Sequence, residues 1–247
     1  PLKDIPMLNR TLAAAAAVLA IAALPAGAQE DVIRKNLMER LPQMPKIDEV
    51  SKTPIPGLYE VRMGTDVIYS DESGNHVIQG SIFDTRNKTN LTDARIQKLT
   101  AIDFASLPLK DAMVQKQGNG SRKLAVFADP NCGYCKRFER DLATVKDVTI
   151  YTFLYPILGA DSDAKAKGIW CSKDAQKTWR AWMLDGATIP KQMGSCDAAA
   201  IARNVAFGQK HKLNGTPALV FQDGRRLPGA IPAAEIEKQL AEASAKS

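Results

Sequence analysis

The chain has 247 residues, of which 45% are hydrophobic and 24% charged, a composition that excludes an extended disordered protein and suits one large domain or two small ones. Its formal net charge is +6, but the basic residues are scattered, and the densest cluster holds only Lys136, Arg137 and Arg140. Nucleic-acid-binding proteins usually gather basic residues on one face. We therefore expect no nucleic-acid partner and interpret the cluster as a solvated helix face, with Lys136 close enough in sequence to the first cysteine pair to assist a thiolate.

Residues 1–28 have the pattern of a secretory signal peptide. Arg10 precedes an apolar run over 12–24, and small residues follow at 26–28, in the order of a positive start, a short apolar core and a cleavage site. The run is short for a membrane span, which takes about 20 residues. Met7 is the more natural initiator, so the residues before it are treated as additions. We expect export; an uncleaved anchor helix is the alternative.

Residues 29–90 predict a small α+β domain. Apolar residues recur every four positions from Ile33 to Leu41, which indicates a helix over 31–41. Strands are indicated on either side of a turn at 71–74, over 59–63, 67–70 and 76–83. The domain has few apolar residues with which to form a hydrophobic core of its own. A small sheet with an exposed edge often pairs with another chain.

A helix over 92–105, capped by Thr92 or Asp93, is predicted to form a linker over 91–110. The second domain, residues 111–247, follows the order β-α-β, helical insert, β-β-α, which indicates an α/β fold. Its strands are predicted at 113–117, 124–128, 148–154, 218–222 and 226–229, its insert at about 162–212, and further helices at 132 and near 232.

Four cysteines stand in this second domain, Cys132, Cys135, Cys171 and Cys196. An even number in an exported chain suggests two disulfides, for which three connectivities are open. A chain of this size does not need disulfides for want of a core. At least one cysteine pair can therefore have a chemical role rather than a stabilising one.

Cys132-Gly133-Tyr134-Cys135 opens a predicted helix directly after a buried strand. Disulfide exchange needs one thiolate that attacks and a second thiol that resolves the mixed disulfide. Unpaired N–H groups and the positive end of the helix dipole stabilise a thiolate at the first position. We expect Cys132 to be the exposed nucleophile and Cys135, one turn inward, to be the resolving thiol.

Other uses of this motif are less well supported. It could be half of a zinc site, but Cys171 and Cys196 do not form a second such motif, and only His76 and His211 could add ligands. Haem attachment needs histidine after the second cysteine, where Lys136 stands. A purely structural disulfide is the third alternative. We expect no metal and no cofactor.

Other polar and aromatic side chains near the motif are given structural roles. Asp129, three residues before Cys132, is interpreted as a turn residue rather than a proton acceptor. Three tryptophans fall in the helical insert, and core packing is their expected role: Trp170, Trp179 and Trp182.

Several segments then resemble one family, the DsbC/DsbG-type periplasmic disulfide isomerases. Residues 127–136, FADPNCGYCK, resemble its active-site segment, and Gly215-Thr216-Pro217-Ala218 resembles its cis-proline loop. Residues 170–174 and 195–197 resemble the flanks of its structural disulfide, and HVIQG at 76–80 resembles its dimerising strand. Four matching segments in order are far more specific than one Cys-x-x-Cys motif.

The resemblance implies an α+β N-terminal dimerisation domain, joined by a linker helix to a thioredoxin-like catalytic domain with a helical insertion. It implies a V-shaped homodimer in the periplasm whose catalytic domains face a cleft for misfolded, disulfide-containing secreted proteins. An inner-membrane reductase of the DsbD type would keep the active pair reduced. The implied dimer interface consists of His76, Val77, Ile78, Gln79 and Gly80.

The resemblance also assigns site residues. Pro217 should be cis and lie beside the Cys132 sulfur, with Thr216, Gly133 and Tyr134 also contacting substrate. The redox-active disulfide of the active pair takes the place of a cofactor. The implied structural disulfide, which would brace the insert, joins Cys171 and Cys196.

Three functions stay open. The expected one is an isomerase that reshuffles or reduces wrong disulfides, favoured by the Gly133-Tyr134 dipeptide and the second cysteine pair. The segment 127–130 looks more like the DsbG branch, a reductase or chaperone with narrower substrates. A non-enzymatic chaperone would suppress aggregation without using either active-site cysteine.

Overall fold

The computed structural model describes residues 26–190 and 195–245, so the predicted signal peptide lies outside the described residues except for its last three positions. The chain divides into two compact units after Gly80, ten residues before the predicted domain boundary. In the described part, no helix is both long and apolar enough to cross a membrane.

The first unit packs one helix, α1 (Ala26–Arg40), against an antiparallel sheet of four strands in the order β1-β2-β3-β4. The strands are β1 (Glu49–Lys52), β2 (Leu58–Met63), β3 (Asp66–Asp71) and β4 (Val77–Ile78). Ile33 and Leu37 lie one turn apart and are buried against Val61 and Ile68 of the sheet. The helix begins earlier than predicted, and Leu41 lies beyond its end and is 44% exposed.

The single strand predicted over 76–83 is wrong. Only β4 continues from the turn, pairing with β3, whereas β5 (Phe83–Asp84) pairs with β6 (Thr89–Asn90) in a separate hairpin. The break has a local cause, since the Ile82 N–H donates to the Thr92 hydroxyl and the Ile82 carbonyl accepts from Leu91. Ile82 is thereby bound to the start of the next helix and cannot extend β4.

That helix, α2 (Leu91–Thr100), is shorter than predicted and begins one residue earlier. Its N-cap is Asn90, whose side chain accepts from the Asp93 N–H at 3.1 Å, and not Thr92 or Asp93. After the helix ends, the Ile102 N–H donates to the Gly224 carbonyl, a contact within the second unit. Two short 3₁₀ turns, Phe104–Ser106 and Leu109–Asp111, lead into the sheet.

The second unit is built on a five-stranded sheet in the order β11-β10-β8-β9-β7. The strands are β7 (Met113–Gln117), β8 (Arg122–Ala128), β9 (Val148–Leu154), β10 (Ala218–Phe221) and β11 (Arg226–Pro228). β8 and β9 are parallel and the other pairs antiparallel. The strands lie within a residue or two of the predicted bounds, because buried apolar runs flanked by turns are strong local signals.

Helices cover the sheet: α3 (Gly133–Leu142), α4 (Ala160–Trp170), α5 (Ala175–Arg180), α6 (Ala199–Lys210) and α7 (Ala233–Ser244). β8 is buried on both faces, with Leu124 and Val126 packed in one cluster and Ala125 and Phe127 in another. The insert is less helical than predicted. α5 runs into a π-helical turn, Ala181–Asp185, that Gly186 ends at φ 68°, and residues 186–190 and 195–198 are not helical.

Candidate active site

Cys132 lies in the turn between the end of β8 and the start of α3. Its N–H donates to the Asp129 carbonyl in a tight turn, and it is the N-cap residue of α3. The Cys132 Sγ accepts from the Cys135 N–H at 3.3 Å, while the Cys132 carbonyl accepts from Lys136. The sulfur therefore takes up one of the unpaired amide donors at the positive end of the helix.

The prediction of an exposed Cys132 is wrong. Both cysteines of the motif are free thiols, and Cys132 is only 6% exposed and Cys135 1%. The Thr216–Pro217 bond is cis, and the Cys132 Sγ donates to the Thr216 carbonyl at 3.2 Å. This loop leads into β10, which pairs with β8, so the sheet itself places the loop over the sulfur.

The second thiol has a different environment. Burial raises the pKa of the Cys135 thiol, and a backbone hydrogen bond to Asp129 opposes that effect only in part. Cys135 therefore stays protonated at neutral pH, whereas Cys132 faces the helix amides. The two sulfurs are chemically unequal, which is what an attacking thiol and a resolving thiol require.

Asp129 does more than form a turn. Its carboxylate is completely buried and accepts from the Asn131 N–H and the Ser162 hydroxyl, both at 2.7 Å. It also accepts from the N–H groups of Ile157 and Leu158 at 2.8 and 3.0 Å. One side chain thus fixes the active-site turn to the segment after β9 and to the start of α4.

A second buried carboxylate lies on α3 itself. Glu139 stands one turn after Cys135, and the Trp179 indole N–H donates to its Oε1 at 2.7 Å. Burial raises the pKa of Glu139, and the Trp179 hydrogen bond opposes this. Sequence reasoning missed Glu139; the available signal was a charged residue between the inward-facing Phe138 and Leu142.

Comparisons with known proteins agree with this geometry. Residues 24–93 match the model of the disulfide bond isomerase protein N-terminal domain, and residues 109–244 match a thioredoxin-like domain. The chain is 41% identical over 212 residues to the probable thiol:disulfide interchange protein DsbC of Bordetella pertussis, covering 86% of this chain and 74% of the relative. The chain belongs to the DsbC family of thiol:disulfide interchange proteins.

Other members are similar as well. The DsbC protein of Escherichia coli K12 is 31% identical over 204 residues, covering 80% of this chain and 82% of the relative. A disulfide interchange protein from Neisseria gonorrhoeae superposes with a TM-score of 0.52 at 38% identity, covering 55% of this chain and 97% of that structure. The predicted resemblance, fold class and thiol:disulfide interchange activity are confirmed.

The surface beside the DsbC-type motif is open at Gly133 and Tyr134. A side chain at Gly133 would meet nothing within 4 Å, and Tyr134 is 65% exposed, with the Arg137 guanidinium 5.5 Å from its ring centroid. Ile157 and Leu158, held by Asp129, are also exposed. Exposed apolar side chains thus lie on the motif and on the segment that Asp129 binds.

The other predicted site residues lie elsewhere. Cys171, at the end of α4, forms a disulfide with Cys196, and the neighbouring Trp170 indole donates to the Asp197 carbonyl. In the described residues, no group of three or more histidine, cysteine, aspartate or glutamate side chains is placed to hold a metal ion.

The segment 76–80 forms the outer edge of the first unit's sheet. β4 pairs with β3 on one side only, and Val77 and Ile78 are exposed there. His76 binds the Asp71 carboxylate through Nδ1 at 2.5 Å, and this hydrogen bond is the main reason that the pKa of Asp71 is lowered. Gln79 and Gly80 are likewise exposed.

Proposed function

We propose that Cys132 and Cys135 carry out the disulfide isomerisation and reduction of this family member. The Cys132 thiolate attacks a client disulfide: the client S–S bond breaks, a bond forms from Cys132 Sγ to one client sulfur, and the other client sulfur leaves as a thiolate. The single observation that carries this assignment is the Cys132 sulfur at the α3 N-cap, within hydrogen-bond distance of the cis Thr216–Pro217 loop.

The mixed disulfide then has two fates. A different client thiolate attacks the bound client sulfur, which releases Cys132 and leaves the client with a rearranged disulfide and no net redox change. Alternatively, Cys135 loses its proton and attacks the Cys132 sulfur, which forms the Cys132–Cys135 disulfide and releases a client dithiol. An inner-membrane reductase of the DsbD type then restores the two thiols. The electrons pass only between sulfur pairs, so no external cofactor takes part.

We assign the substrate contacts to two segments near the Cys132 sulfur, the cis-proline loop and the Gly133-Tyr134 dipeptide. An extended client segment pairs with the backbone at Thr216 and Pro217, as an added strand would. Gly133 leaves room for the client backbone, and the exposed Tyr134 ring contacts its side chains. The open, partly apolar surface beside the motif supports this assignment because misfolded proteins expose apolar segments.

The clients are misfolded, disulfide-containing secreted proteins in the periplasm, and the chain acts as a homodimer. We assign residues 29–90 to dimerisation, 91–110 to the linker and 111–247 to catalysis, with Cys171–Cys196 as a structural disulfide. The matched family ranges support this division. The exposed edge strand β4 supports pairing through residues 76–80, because unpaired edge groups readily accept another strand.

A scrambled-substrate assay tests the proposal. Wild type under mildly reducing conditions should reactivate a scrambled disulfide-bonded enzyme, and Cys132→Ser should abolish reactivation. Cys135→Ser should keep the attack but accumulate mixed disulfides, seen as a mass increase on Cys132. If wild type only suppresses aggregation, and both variants do so equally, the chain is a non-enzymatic chaperone and the assignment is wrong.

A further inference from the structure

Trp182 lies in the π-helical turn after α5, and it packs against the core of the second unit, as its position in the insert predicts, without being enclosed by it. Its side chain is half-buried, and its indole N–H donates to the Pro130 carbonyl at 2.6 Å. Pro130 is two residues before Cys132. Trp179, one turn earlier, is by contrast fully buried and bound to Glu139.

The ring of Trp182 also holds two ammonium groups. The Lys136 Nζ lies 4.3 Å from the ring centroid and the Lys165 Nζ 4.9 Å from it, both within the range of a cation–π interaction. Lys136 directly follows Cys135 in the chain. One indole therefore contacts the chain on both sides of the Cys-Gly-Tyr-Cys motif.

Lys165 strengthens the same arrangement from α4. Its ammonium donates to the Asn131 Oδ1 at 2.8 Å and pairs with Asp161 at 2.5 Å, while the Asn131 amide donates to Asp161. Asn131 is the residue immediately before Cys132. The positive charge of Lys165 is balanced by Asp161, so its main effect is to hold Asn131.

Lys136 has a different charge balance. Within the described ranges it has no ion-pair partner at 4 Å or less, and its neighbour Arg137 extends toward Tyr134. The two buried carboxylates near the motif have other partners: Asp129 accepts four hydrogen bonds and Glu139 accepts one from Trp179. Among the described residues, the contact that holds the Lys136 ammonium is thus the Trp182 ring.

We propose that Trp182 is a positioning residue for Cys132: its N–H fixes the Pro130 carbonyl before the motif and its ring binds the Lys136 ammonium after it, so that the Cys132 sulfur stays at the N-cap of α3. This role rests on the proposed assignment of Cys132 as the nucleophile. A sulfur kept at the N-terminus of the helix should attack at lower pH than one displaced from it, and the same position should favour the reduced pair over the disulfide.

The test is the rate of Cys132 alkylation by iodoacetamide against pH, together with the equilibrium between the cysteine pair and glutathione. In Lys136→Met and Trp182→Leu, the midpoint of the alkylation profile should move to higher pH, and the rate below it should fall roughly threefold to fivefold. The glutathione equilibrium should shift by a similar factor toward the protein disulfide. Trp182→Phe keeps the ring but not the N–H, so it should recover most of the alkylation rate.

Two matched variants serve as controls. Arg140→Met removes a cation farther along α3, and Trp170→Phe removes another indole hydrogen bond in the insert; both should keep the wild-type midpoint. Lys136→Met leaves the ring intact, so the test stays decisive if Trp182→Leu does not fold. Wild-type midpoints in every folded variant, with only lower melting temperatures, would overturn the role of Trp182. Alkylation of wild type at a residue other than Cys132 would instead overturn the proposed function.

Discussion

Two carboxylates, Asp129 and Glu139, lie buried around the cysteine pair, and their surroundings differ. Asp129 accepts hydrogen bonds from four donors, so its buried oxygens have polar partners while it shapes the turn. Glu139 receives one indole hydrogen bond, and burial raises its pKa. The contribution of Glu139 to the stability of the folded protein should therefore depend on pH.

Glu139→Gln tests that dependence at the residue scale. A folded-state pKa above the unfolded one means that the stabilising contribution of Glu139 is complete below its unfolded pKa and is lost as pH rises through its folded pKa. Glutamine can still accept from Trp179 but does not ionise. We expect Glu139→Gln to gain stability relative to wild type as pH rises from about 4 toward 7, measured by urea unfolding at each pH. A stability difference that is independent of pH would show that Glu139 does not titrate in this way.

At the scale of elements, the α4–α6 insert is joined to the active site by side chains rather than by the sheet. Its α4 holds Asn131 through Asp161 and Lys165, and its π-helical turn holds Pro130 through Trp182. The Cys171–Cys196 disulfide closes this insert on itself. The disulfide should therefore act on the stability of the insert first and on the chemistry only indirectly.

Replacing both Cys171 and Cys196 with alanine should lower the free energy of unfolding by roughly 3–4 kcal/mol, from the chain entropy regained by the opened loop. Thermal or urea unfolding measures this loss. Well below the melting temperature, the alkylation rate of Cys132 should stay within about twofold of wild type. Loss of Cys132 reactivity in a fully folded double variant would assign the second pair a direct part in the chemistry.

For the whole molecule, the proposed dimer depends on a small exposed strand. Ile78 is 52% exposed on β4, and a charge there would face the partner strand in an apolar interface. Ile55 is exposed to a similar degree on the same unit but lies outside the strands. The two residues form a matched pair for separating an interface effect from a general surface effect.

Ile78→Lys should convert the dimer to a monomer, measured by light scattering after size exclusion, while Ile55→Lys should remain dimeric. Reduction of a small disulfide by the Ile78→Lys monomer should persist because the cysteine pair lies in the other unit. Reactivation of a scrambled protein should fall at least several-fold, since the client loses the second catalytic domain. Wild type that elutes as a monomer would rule out the proposed interface.

Features that depend on neighbours along the chain could be predicted from the residues alone. The Cys-x-x-Cys motif at a helix start, the apolar strands of the second unit and the α/β order were all predicted, because short-range periodicity and turn residues encode them. The DsbC-type relationship was also predicted, because four separated segments match in order. Caps and short strands were missed, as at Asn90 and Ile82, where one hydrogen bond moves a boundary.

The environment of the sulfurs depends on contacts between segments that are far apart in the sequence. Cys132 is buried because the loop before β10, 84 residues away in sequence, lies over it. The roles of Glu139 and Trp182 likewise depend on partners that are 40 and 52 residues away. Burial and charge pairing are set by which elements pack together, and no local pattern carries that information. The cysteine pair could therefore be found from sequence, whereas the buried groups that surround it could not.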